Sequence, residues 1–136
     1  MTKSPCWLYT AIVGAFLLLQ GASTLAFRLY PPLDRAFPAL LGITQMIPPH
    51  SLVHILTGLL ALVALARGGE RGAGWFAGGF GAFYTGLALF GMIARQPSML
   101  GLQPFDHPFH LLIGGLGLLL AGQRLYRIRR GKEALL

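Results

Sequence analysis

Four stretches of almost unbroken apolar residues, about 7–27, 50–66, 75–94 and 109–128, alternate with segments that collect the charges, prolines and loop glycines. Each run approaches the roughly 20 residues that carry a helix across about 30 Å of hydrocarbon. The run at 50–66 is the shortest, so it is expected to begin a few residues earlier or to sit where the bilayer thins. Arg28 ends the first run, Arg67-Gly68-Gly69-Glu70-Arg71 the second and Arg95-Gln96-Pro97 the third, while the fourth fades into Arg127, Arg129, Arg130 and Lys132. Transmembrane strands alternate apolar and polar positions. Leu59-Leu60-Ala61-Leu62-Val63-Ala64-Leu65 is apolar on every side, so these runs are helices, whose backbone groups are satisfied within the segment. The expectation is an all-α fold: one domain, an integral membrane four-helix bundle. Residues 31–49 form a loop whose prolines (Pro31, Pro32, Pro38, Pro48, Pro49) oppose a continuous helix, although Ala36–Met46 could lie flat at the interface as a short one.

The first run carries signal-like features, namely Lys3, an apolar centre and the small residues Gly21-Ala22-Ser23, but it is long for the apolar region of a signal peptide and is expected to be retained. The two halves of the chain echo each other. Leu41-Gly42-Ile43-Thr44-Gln45 matches Leu100-Gly101-Leu102-Gln103, and in the helices that follow, His54 falls on His110 and Gly58 on Gly114. Gly14-Ala15-Phe16 and Gly81-Ala82-Phe83 match more weakly. Two spans per half, both halves entering from one side, predict two tandem two-helix repeats about an axis along the membrane normal. The His-x-x-x-Gly of the second run, the Asp-x-x-x-His-x-x-x-Gly of the fourth and the Leu-Gly-Leu before it resemble a family of small bacterial four-helix membrane proteins known only as a domain of unknown function. The resemblance covers about residues 8–126 and implies the fold and a bacterial membrane location, with no activity to carry over.

Composition agrees with the pattern. Of 136 residues, 54% are hydrophobic and 11% charged, against about 25% charged in soluble domains. Too little polar matter remains to coat a water-exposed surface, and four spans leave no length for a separate catalytic domain. The net charge of +7 comes from basic residues beside the apolar runs, as topology signals and anionic headgroup contacts require, so nucleic acid is not an expected partner. If both termini share a side, that side holds Lys3, Arg67, Arg71, Arg124, Arg127, Arg129, Arg130 and Lys132, and the other holds Arg28, Arg35 and Arg95. The positive-inside rule then places both termini in the cytoplasm and residues 31–49 outside, in a bacterial inner membrane. The lipid bilayer is the expected partner. The glycine-rich third run (Gly74, Gly78, Gly79, Gly81, Gly86, Gly91) serves either packing within the bundle or docking of another membrane subunit.

Chemistry is sparse. Cys6 alone forms no internal disulfide, the four acids form no evident pair for acid–base work, the serines have no nucleophile partners, and no phosphate-binding loop follows a strand. No catalytic residue is expected. The exception is a group of histidines at the outward ends of the second and fourth runs: His50, His54, His107 and His110, with Asp106. Ionisable groups bordering a membrane call for an explanation. His50 and His54 share a helix face at i, i+4, as do Asp106 and His110. One reading is packing and capping, with Asp106 as N-cap, its carboxylate on His110, and His54 on a carbonyl or Gln20. A second is a b-type haem held by His54 and His110, an electron carrier with Gly58 and Gly114 making room one turn below. A third is a divalent metal, zinc or copper, held by His50, His54, Asp106, His107 and His110 or a subset of them. The positive ends of the helices oppose a cation there and would favour an anion. The expected role is a non-catalytic structural or accessory membrane component, with the haem and metal readings as alternatives.

Overall fold

The computed structural model describes residues 2–36, 46–94 and 100–133. The interfacial helix expected near Ala36–Met46, and one side of the matched Leu-Gly segments, fall largely outside them. Among the described residues the secondary structure is entirely helical: α1 (Pro5–Leu29), the short α2 (Pro31–Ala36), α3 (Pro48–Ala94) and α4 (Asp106–Glu133). Three of these, α1, α3 and α4 through Gly131, are long and apolar enough to cross a bilayer.

That count corrects the expected four-helix bundle of two tandem repeats. The second and third apolar runs are not joined by a loop: both lie on the 47-residue α3, in which two helical stretches run together across a kink at Gly69. Within α3 only Gly69 leaves helical geometry, with φ 49° and ψ −130°. Arg67, Gly68, Glu70 and Arg71, which read as a linker, all remain helical. One residue free of Cβ sterics suffices to reverse the chain, so no loop is needed. The two arms of α3, 48–68 and 70–94, therefore fold against each other. Gly72 faces the carbonyl of Ala64, leaving no room for a Cβ, and the His54 and Tyr84 rings lie 6.3 Å apart.

The start of α1 follows from local chemistry. Ser4 caps it, accepting a hydrogen bond from Trp7 N at 3.1 Å, and Pro5 occupies the first turn, where no N–H is needed. Ser4 also ties α1 to the reversal in α3: its N–H donates to Glu70 Oε1 at 3.1 Å and its hydroxyl to Glu70 Oε2. The Cys6 thiol reaches Leu120 O of α4 at 3.4 Å. The start of α1, the Gly69 reversal and the later turns of α4 thus share one end of the molecule.

Helices meet at glycines. A Cβ on Gly58 would lie 2.7 Å from both Gly14 O and Leu18 N of α1. A Cβ on Gly114 of α4 would lie 2.7 Å from Thr85 N and 3.0 Å from Gly81 O of the second arm. Such backbone contact is the device by which helices associate where lipid offers no hydrophobic drive. Leu17, Ala61, Phe80, Ala77 and Tyr84 fill the core around these crossings. Several buried hydroxyls take protein partners, Tyr9 donating to Ile113 O at 2.7 Å, Thr10 to Ala73 O at 3.2 Å and Thr24 pairing with Ser51 at 2.9 Å, whereas Thr85 Oγ1 is buried without one. The outside is apolar instead. Ile12, Leu19, Leu56, Leu60, Phe90, Ile93 and Leu112 are all exposed, a surface far larger than a water-soluble monomer carries but one that matches hydrocarbon. Lys3 over Trp7 and Arg130 over Tyr126, at 4.7 and 5.0 Å, place cation–aromatic pairs at the basic end, where headgroups lie.

Candidate metal centre

The other end of the molecule holds the histidines. His50 and His54 sit in the first two turns of α3, and His110 sits in the second turn of α4. Their i, i+4 spacing turns His50 and His54 to one face, and the Gly58–α1 and Gly114–Gly81 crossings pull α3 and α4 close enough to bring His110 opposite. All three are buried, with 1–2% of their surface exposed. Ring centres lie 4.6 Å apart for His50–His54, 6.0 Å for His50–His110 and 6.3 Å for His54–His110. One ring nitrogen from each falls within 4.8 Å of the other two.

The hydrogen bonding of these rings is incomplete. His54 Nδ1 is 3.0 Å from Gln20 Oε1. An amide oxygen accepts, so Nδ1 carries the proton and Nε2 keeps a lone pair. That Nε2 is buried without a partner, as are His50 Nδ1 and His110 Nδ1. Leaving a polar group so costs about 1–3 kcal/mol each. Three buried imidazoles, each with an unpartnered nitrogen and with one ring nitrogen apiece clustered within 4.8 Å, form a donor set suited to a transition metal. A metal about 2.0–2.1 Å from each nitrogen needs nitrogens roughly 3.5 Å apart, and small ring rotations from the observed spacing would provide it. Gln20 fixes the tautomer that leaves Nε2 free, the role an outer partner plays behind a ligating histidine.

Asp106 and His107 stand outside this triangle. Asp106 accepts from Gln103 N at 2.6 Å rather than from His110. It still lies near enough to His50 to act on it electrostatically. His107, three residues before His110, packs its ring onto Gly91 of the second arm, where any Cβ would overlap it. Its Nδ1 is also buried and unpaired.

Haem does not fit. The His54–His110 separation is compatible with two axial ligands, but the macrocycle must occupy the plane between them. The His50 ring stands 4.6 and 6.0 Å from the two ligand rings, and the Tyr84 ring 4.7 Å from His110 and 6.3 Å from His54. Both therefore lie within the footprint of a porphyrin. Gly58 and Gly114, expected to make room for it, are filled by backbone of the neighbouring helices. Tyr84 is a site residue that the sequence reading missed. It stacks on Phe80 at 4.1 Å, and its one signal was a tyrosine in the middle of an apolar run.

No curated protein and no solved structure matches this chain. One family model does, over residues 6–125, a stretch that includes Gln20, all three clustered histidines and the glycine crossings. The chain therefore belongs to the family described as domain of unknown function (DUF4383).

Proposed function

We propose that this chain is a multi-pass protein of the bacterial cytoplasmic membrane that holds a transition-metal ion between His50, His54 and His110. The observation that carries the reading is a cluster of three buried histidines with one ring nitrogen of each within 4.8 Å of the others; each ring also has a buried nitrogen without a hydrogen-bond partner, and Gln20 orients one of the rings. With Asp106 bonded to Gln103 N rather than set against the triangle, no general base stands beside the three imidazoles among the described residues, which favours holding an ion over hydrolysis. The basic residues support an orientation with the Ser4–Glu70 end in the cytoplasm and the histidine end outward.

The test is elemental analysis of the full chain purified in detergent, with size-exclusion elution and helical circular dichroism to confirm folding. One equivalent of metal per wild-type chain, lost in folded His54→Ala and His110→Ala, supports the reading. Wild type that stays metal-free after incubation with zinc and with reduced copper overturns it. The Gln20–His54 bond favours a second reading, in which the histidines only organise the outward end; that reading predicts the metal-free result, together with lower thermal stability in both variants.

A further inference from the structure

We propose that the ion the site is built for is monovalent copper rather than a divalent metal, an inference that rests on the metal-holding reading above. The argument is one of charge. The electrostatic cost of burying an ion grows with the square of its charge, so a divalent ion costs about four times a monovalent one of the same size. All three ligands are neutral and almost wholly enclosed. Ligating histidines are commonly backed by a carboxylate, which returns negative charge to the metal. Here the group behind His54 is the neutral amide of Gln20. Of the described acidic side chains, Asp106 is the one near the site, and Glu70 is at the opposite end beside Ser4. One carboxylate balances one positive charge. His50 lies in the first turn of its helix and His110 in the second, close to the positive ends, which penalise each further unit of charge.

Coordination number points the same way. Three-ligand zinc sites complete their shell with water. On one side of this triangle stands the Tyr84 ring, 4.7 Å from His110 and 6.3 Å from His54, where it opposes a bound water. Monovalent copper is stable with three nitrogens in a plane and needs no fourth ligand.

The experiment uses the full chain in detergent under argon. Copper reduced with ascorbate, and zinc, are each titrated alone and then against each other, with a chromogenic copper(I) chelator as competitor, on wild type, Gln20→Glu and His54→Ala. One copper per chain, resistant to excess zinc and lost in His54→Ala, is expected. Gln20→Glu supplies the missing charge at nearly constant size and should shift selectivity toward zinc by ~10–100-fold. If zinc binds and displaces copper from wild type, the copper assignment is overturned and the metal site stands. If selectivity in Gln20→Glu is unchanged while that variant binds metal, the charge argument is overturned. If neither ion binds wild type, both proposals fall together.

Discussion

Gly114 and Gly115 are neighbours on α4, and the structure assigns them opposite responses to the same substitution. A Cβ at Gly115 would meet nothing within 4 Å. Gly115→Ala should therefore show only the gain from restricting the unfolded backbone, up to ~1 kcal/mol. A Cβ at Gly114 would lie 2.7 Å from Thr85 N and Oγ1 and 3.0 Å from Gly81 O. Carbon needs roughly 3.5 Å from such atoms. Thr85 Oγ1 can rotate away, but the two backbone atoms belong to a helix and move only with it. α4 and the second arm of α3 must part along the crossing, an overpacking cost of about 1–3 kcal/mol. The backbone gain is common to both variants, so they should differ by the overpacking cost alone, roughly 1–3 kcal/mol. Unfolding in mixed micelles with increasing dodecyl sulfate, followed by tryptophan fluorescence and circular dichroism, reads that difference. Equal midpoints for Gly114→Ala and Gly115→Ala would refute the contact between these helices, and with it the placement of His110.

Other substitutions probe separate features. Gln20→Leu removes the acceptor for His54 Nδ1 and should weaken metal binding by ~10–100-fold in the competition titration; unchanged affinity would deny Gln20 its orienting role. Gly69→Ala forces a side chain into φ 49°, ψ −130°, a conformation essentially reserved for glycine, and should cost ~1–3 kcal/mol in the same unfolding assay. Tyr9→Phe deletes the bond to Ile113 O and should cost ~1 kcal/mol, with no loss of metal, since Tyr9 packs around Phe80 and α4 rather than against the histidines.

The helices were legible because lipid asks for little beyond length and apolarity, which Leu8 to Phe27 or Leu52 to Leu65 supply on every face. The reversal was visible as Arg67-Gly68-Gly69-Glu70-Arg71 but not as what it is. Composition cannot distinguish a five-residue loop from a single glycine with unusual dihedrals inside continuing helix, and that difference turned four elements into three. The juxtaposition of His54 and His110 was readable from the shared spacing to Gly58 and Gly114. Which further groups would join them was not, because rotation of α4 about its axis decides it. That rotation turns His107 onto Gly91 and leaves Asp106 with Gln103, so the third imidazole comes from His50. Gln20 was recognisable as a polar residue in an apolar run. Tyr84 was not, since a tyrosine among Phe80, Phe83 and Phe90 reads as one more aromatic.

The glycine crossings have a consequence for traffic. Where Gly58 abuts Gly14, and Gly114 abuts Gly81, backbone touches backbone, and Leu17, Ala61, Ala77 and Phe80 close what remains. Among the described residues, packed core therefore lies between the histidines and the Ser4–Glu70 end. The proposed site is thus suited to holding an ion at one end of the bundle, and the packed crossings do not favour a path from it to the other end.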